Sequence, residues 1–429
     1  MIDKFKTWAR GIAKRNVRFR KLMRFGLYVT RGALYAVMSV FIRRDERRVM
    51  FVSFNGRAYS DTPKAVYEYM ISRPEFSGYK FVWVFKEPGK HAGLLANPGT
   101  EIVAYKTNAH RRELIRSKYW VVNFRVFKHA WPRRGQVYLQ CWHGTPLKRL
   151  GFDILESDNA MNSRPEILSK YITDAKKITW LLSPSAYATE KFASAWNLAE
   201  YGKLDRILEV GYPRNDRLAV AAASGGVGAD EAARIRASIG LPLSGGKKVI
   251  LYAPTWRDNQ FDPRYGYTYD LKIDFDRLRD ELGDGYEILF RVHYLVMKSF
   301  DFAKYDGFIY DCSDYDDIND LYLISDLLLT DYSSVFFDYA VLEKPMLFYM
   351  YDLDEYAGKT RGFYFDAEEL PGRILRDESE LAPAIRGAFE EPGGPFAPDE
   401  KYLAFKKKYA SLDDGAATAR LVEKVWNEG

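Results

Sequence analysis

A chain of 429 residues makes two ordinary domains the natural expectation, and 47% hydrophobic content is enough for large cores. The net charge of +6 hides an asymmetry: residues 1–48 hold 14 Lys+Arg against 3 Asp+Glu, a net +11, and the remainder hold 50 against 55, a net −5. A basic cleft running through the whole body, as a nucleic-acid enzyme needs, is therefore excluded, and Cys141 and Cys312, far apart in sequence, imply no disulfide framework and fit a reducing compartment.

The first element in the chain is GLYVTRGALYAVMSVFI (26–42), apolar apart from Arg31. Its uncharged part, 32–42, falls short of the roughly 20 residues of a spanning helix. RRDERR (43–48) follows it, with no small-residue cleavage site for a signal peptide. Basic residues together with Phe, Leu, Trp and Tyr predict an interfacial helix on an anionic membrane surface, with a buried helix packing on the first domain as the alternative, and residues 1–48 read as a basic membrane-associating segment.

From Val49 strands and helices alternate. Short buried strands are predicted at 49–54, 81–85, 101–105, 119–123, 137–142, 179–183 and 207–211, with helices between them such as 62–73. A small, Gly-rich stretch at 221–230 reads as a hinge or surface loop. The alternation then restarts at 247–255, 286–293, 307–311, 326–331 and 344–350. The expected class is α/β, with two doubly wound Rossmann-like domains facing a cleft. The expected bounds are 49–222 and 223–400, followed by C-terminal helices over 401–429.

In such folds ligands sit beyond the carboxyl ends of the strands, so the residues there are the candidates. After 137–142 comes HGTPLKRLGFD, in which Thr145 is expected to cap a helix and Pro146 to open it. Lys148 and Arg149 would then stand in a first turn that repels cations, which a bound anion would explain. Arg257 follows 247–255, and Arg291 and His293 follow the next strand, two apart and therefore on one side. Asp331, Ser333, Ser334 and Asp338 follow 326–331, where hydroxyls and free N–H groups at a helix start form a phosphate cradle. These parts suit a nucleoside diphosphate. A plain N-cap would account for either serine alone, a loop ion pair for Arg257, and a satisfied buried histidine for His293. The acidic run 311–320 lacks a calcium-loop glycine and reads as capping of the helix after it. The five histidines and two cysteines have no zinc spacing, and no Walker sequence is present.

QCWHGTPLKRLGFD (140–153), LSPSAYATEKF (182–192), GYPRNDRL (211–218), ILYAPTWRD (250–258), RVH (291–293), DINDLYLISDLLLTDYSSVFFDYAVLEKPMLFY (317–349), RGFYFD (361–366) and DDGAATAR (413–420) together resemble the CDP-glycerol glycerophosphotransferase family. The resemblance implies a GT-B fold and a teichoic acid glycerol or ribitol phosphate transferase. His143 would be the base, and His293 a second essential histidine on the donor phosphates. Arg257, Arg291, Ser333 and Ser334 would bind those phosphates. Asp338 would hold the donor ribose, and Gly144, Thr145, Lys148 and Arg149 the acceptor. The donor would be a CDP-polyol and the acceptor a lipid-linked disaccharide or teichoic acid at the cytoplasmic membrane face, with no metal, no cofactor and no nucleic acid. A CDP-ribitol enzyme, a GT-B sugar transferase or epimerase, and an inactive membrane-associated glycan-binding protein remain as alternative expectations.

Overall fold

The computed structural model describes residues 17–154, 163–243, 246–255, 261–262, 266–267, 272–292, 300–353, 362–390 and 396–427. Arg257 and His293 lie outside them.

The first half holds strands β1 (Asp45–Val52), β2 (Lys80–Phe85), β3 (Thr100–Ala104), β4 (Ser117–Val122), β5 (Val137–Gln140), β6 (Trp180–Ser183) and β7 (Ile207–Glu209). The second holds β8 (Lys248–Ala253), a short antiparallel pair β9 (Phe261–Asp262) and β10 (Gly266–Tyr267), then β11 (Tyr286–Phe290), β12 (Ile309–Asp311), β13 (Leu327–Thr330), β14 (Met346–Tyr349) and β15 (Arg373–Leu375). The large sheets run β3-β2-β1-β4-β5-β6-β7 and β12-β11-β8-β13-β14-β15, with every pairing parallel. Both follow the doubly wound order, in which the chain starts centrally and reverses direction beside its first strand. The switch points lie between β1 and β4 and between β8 and β13. This is the GT-B arrangement the sequence predicts. Runs such as Val49–Phe51 and Leu327–Leu329 are buried throughout because helices cover both faces of each sheet.

Two boundaries differ from those read in the sequence. β1 starts at Asp45, so residues 45–48 belong to the sheet and not to the basic segment. Arg48 is buried, 2.6 Å from Glu113 and also paired with Glu101. Helix Asp216–Ala223 places Leu218 and Ala221 in the core of the second sheet. The crossover therefore precedes that helix, at Pro213–Asn215, and the Gly-rich stretch is a loop within the second half. The C-terminal helices serve both halves: Tyr402, Phe405 and Tyr409 pack into the second core, and Leu421, Val422 and Val425 into the first.

Helix Val17–Phe41 precedes β1. It is held by Tyr35, which is buried and donates its hydroxyl to the carbonyls of Trp131 (3.0 Å) and Leu114 (3.3 Å). Leu22, Phe25, Val29, Val37, Val40 and Phe41 are exposed. Among the described residues, no helix is long and apolar enough to cross a membrane.

Candidate active site

The carboxyl ends of β5 in the first sheet and of β8, β11 and β13 in the second open onto one cleft of about 480 Å³. His143, Gly144, Thr145 and Lys148 line it from the first half, and Thr255, Arg291, Ser333 and Ser334 from the second. The halves touch at Gly144: a Cβ built there would sit 2.8 Å from the Ser334 hydroxyl. Gly144→Ala should thus push the histidine loop off the serine turn. A displacement of this kind costs up to about 10²-fold in turnover, at little cost in melting temperature because both residues border open space. Steady-state kinetics beside a thermal melt checks it.

His143 follows Trp142, one of few non-glycine residues with positive φ (52°). Its ring lies among Trp142 (centroids 4.3 Å), Phe124 (5.7 Å) and Phe54 (6.1 Å). Nδ1 is 2.9 Å from the backbone carbonyl of Asn123, at the end of β4. A carbonyl only accepts, so Nδ1 carries the proton and Nε2 presents a lone pair. Burial holds the imidazole below its ordinary value, while the Asn123 carbonyl and the Asp61 carboxylate pull the other way. The ring is therefore a neutral base at neutral pH.

The segment after His143 is not the expected helix: residues 141–150 are irregular, with a bend at 143–144 and one isolated bridge at Lys148. Lys148 bridges to Phe363, Leu147 O accepts from Tyr364 N (2.9 Å), and Arg149 N donates to Gly362 O (3.0 Å). The cap signals at Thr145 and Pro146 lose because these backbone groups bond across the domain interface. Leu147 is buried in the second core, and Thr145 is buried as well. Lys148 thus lines the cleft from an isolated bridge, with no helix dipole behind it. Arg149 lies against Gly362 and over the Tyr364 ring, away from the cleft lining.

On the donor side, Asp331 follows β13 and accepts from Thr255 N (2.7 Å) and Tyr332 N (2.6 Å), tying the loop after β8 to the serine turn. Ser334 precedes helix Val335–Tyr339 and its hydroxyl makes no cap bond, so the plain N-cap reading does not hold there. Arg291 commits Nη1 to the carbonyls of Cys312 (2.8 Å) and Tyr315 (2.7 Å). Asp338 is not in the cleft lining. It is buried under the Arg214 guanidinium (3.0 and 3.2 Å) and Asn215 (2.9 Å), so both its oxygens are engaged within the protein, which leaves the ribose assignment without geometric support.

The acidic run does more than cap. Asp317 caps helix Ile318–Ile324 and also pairs with Lys64 of the first half (2.6 Å), Asp316 accepts from Tyr59 N (3.3 Å), and Asp320 pairs with Arg217 (2.8 Å). The run holds the halves together. Among the described residues, no cluster of three or more His, Cys, Asp or Glu could hold a metal. Sequence reading also missed Asn123 and Asp61. Asn123 ends a predicted strand, which was the one available signal, and Asp61 gave none.

Residues 34–427 match the family described as CDP-glycerol:poly(glycerophosphate) glycerophosphotransferase. The teichoic acid poly(glycerol phosphate) polymerase of Staphylococcus epidermidis is 40% identical over 87% of the chain, and the chain spans about half that relative's length, 49%. The teichoic acid glycerol-phosphate transferase of Staphylococcus aureus is 36% identical over 95% of this chain and 98% of its own. A structure of the wall teichoic acid polymerase TagF superposes with a TM-score of 0.80 at 34% identity, covering 96% of this chain and 98% of that one.

Proposed function

The chain belongs to the CDP-glycerol:poly(glycerophosphate) glycerophosphotransferase family, and from that premise we propose that it transfers glycerol phosphate from CDP-glycerol to a hydroxyl of a lipid-linked acceptor in wall teichoic acid synthesis, releasing CMP. One observation carries the reading. A neutral imidazole with a free Nε2 lines the same cleft as Ser333, Ser334 and Arg291, each side beyond the carboxyl ends of its sheet's strands.

The acceptor hydroxyl loses its proton to His143 Nε2 as its oxygen bonds to the glycerol-bearing phosphorus. The bond from that phosphorus to the bridging oxygen breaks, and the electron pair leaves with CMP. Ser333, Ser334, the N–H groups of their turn and Arg291 are fixed donors for the charge that builds on the phosphoryl oxygens. Arg257 and His293, which lie outside the described residues, come shortly after β8 and β11 in the sequence and join them in this reading. Gly144 and Thr145 shape the acceptor side, and Lys148 draws a polyanionic acceptor, while Arg149 is turned onto Gly362 and Tyr364. No metal or cofactor is required. Glycerol is favoured over ribitol by the relatives: a ribitol-phosphate primase of Bacillus spizizenii is 27% identical over 92% of the chain, below the glycerol-phosphate enzymes. The test is product mass after incubation with CDP-glycerol or CDP-ribitol and a lipid-linked disaccharide. Mass increments of glycerol phosphate support the reading, and ribitol phosphate increments alone overturn the donor.

The exposed apolar side chains of helix Val17–Phe41 support peripheral attachment to the cytoplasmic membrane face, where such an acceptor lies. Val40→Glu/Phe41→Glu should reduce pelleting with anionic liposomes at unchanged melting temperature, since these side chains are 78% and 80% exposed. Equal pelleting of variant and parent would remove the helix from the membrane contact.

A further inference from the structure

GYPRND (211–216) supplies no group to the cleft lining, yet it sits at the crossover between halves. A continuous chain of buried bonds runs from it to His143. Arg214 Nη1 is 3.2 Å from Asp61 Oδ1. Asp61 Oδ2 accepts from Asn123 Nδ2 (2.8 Å), and Asn123 Oδ1 accepts from Phe54 N (2.8 Å). That pair of bonds fixes the amide's orientation, because the Phe54 N–H can only donate and the carboxylate only accept. The carbonyl of the same asparagine holds His143 Nδ1. On its other edge Arg214 forks onto Asp338, three residues past Val335, where the helix after the serine turn begins. Asn215 joins Asp338 to Asp413.

Two further observations set this chain apart from an ordinary ion pair. Asp61 and Arg214 keep only 5% and 4% of their side-chain surface exposed, and burying such charges is a poor route to stability. Phe54, Asn55, Asp61 and Trp142 all have positive φ, between 46° and 64°. Non-glycine residues in that region are strained, and the strain persists only where surroundings enforce it. Of these, Phe54 and Asp61 bond the asparagine and Trp142 packs on the histidine.

We propose that Asp61 and Arg214 are positioning residues of the transfer reaction: Arg214, anchored on Asp338 of the donor half, holds Asp61 against Asn123, and Asn123 seats His143 with Nε2 toward the cleft. The base is thus aligned only when the two halves are docked. The inference rests on His143 being the base.

Asp61→Asn in the full chain keeps the shape and can still accept from Asn123, but removes the charge. The charged groups acting on the imidazole are Asp61 from helix Asp61–Ile71, Arg125 from the loop after β4, and Arg214. Losing the carboxylate leaves two cations opposing protonation. With CDP-glycerol and acceptor, kcat should fall about ten- to hundred-fold at unchanged donor KM, and the acidic limb of the pH–rate profile should move to lower pH. Arg214→Lys keeps a buried cation but cannot fork to two carboxylates, so kcat should fall similarly while the limb moves less. Wild-type kcat and limb in folded Asp61→Asn overturn the proposal. If that variant does not fold, Arg214→Lys decides, and wild-type kcat there overturns it. A loss confined to thermal stability in both, or unfolding of both, assigns the network to stability and overturns it too. His143→Ala assayed alongside separates the premises: if it retains transfer, the base assignment has failed; if only the network variants are silent, this inference alone has failed.

Discussion

His143→Ala should abolish transfer while leaving CDP-glycerol binding intact. General-base removal costs about 10²–10⁴-fold in turnover. The ring's Nδ1 is spent on the Asn123 carbonyl and the residue lines the cleft from the half that does not carry the serine turn, so no donor contact is lost with it. The fold should survive, because Trp142 keeps its packing on Phe192 and Trp196 without the ring and Asn123 is still held by Asp61. Calorimetry with CDP-glycerol separates the outcomes, and lost nucleotide binding in a folded variant would move His143 to the donor side. The pH profile supplies a second readout. Burial lowers the imidazole below its ordinary value, so the protonated form is disfavoured in the folded enzyme. Transfer should stay level as pH falls through about 6.5, the unperturbed histidine value, and decline only below it.

Ser333→Ala/Ser334→Ala should give the opposite pattern, with donor affinity lost first. Hydrogen bonds to charged phosphate oxygens contribute about 1.5–3 kcal/mol each, so the pair accounts for roughly hundred-fold or more in dissociation constant. Stability should hardly change: both serines are part-exposed at the cleft, and the Ser334 hydroxyl caps nothing. The measurement is calorimetric titration with CDP-glycerol beside a thermal melt. Wild-type affinity would show that the diphosphate is held elsewhere along the cleft.

The twelve strands of the two halves that the sequence predicts are present because parallel strands covered on both faces read as unbroken apolar runs, as at Val49–Phe51 and Leu327–Leu329. β15 escaped because Arg373–Leu375 is a three-residue edge strand with only Leu375 fully buried. Reading the residue after each strand found His143, Ser333 and Ser334, since the doubly wound order converts chain position into cleft position. It failed wherever a distant partner decides the outcome. Thr145 and Pro146 carry sound cap signals, but Gly362 and Tyr364, more than two hundred residues on, take the backbone bonds. Arg48 looked like part of a basic tail until Glu113 and Glu101 appeared beside it. Asp338 looked free to meet a ribose until Arg214 covered it. No local pattern encodes these pairings, because each joins segments that meet only after both sheets have formed.

The central claim is phosphoryl transfer, with the acceptor attacking phosphorus, and the nucleotide product tests it most directly. Attack at the glycerol-bearing phosphorus sends the bridging oxygen away with the nucleoside monophosphate. Attack at the glycerol carbon, the counterpart of sugar transfer on this fold, would release the diphosphate instead. With CDP-glycerol and a lipid-linked acceptor, chromatography of the quenched reaction should find CMP in equal amount to the glycerol phosphate transferred. CDP as the product, or CMP released with no glycerol phosphate on the acceptor, would contradict the account.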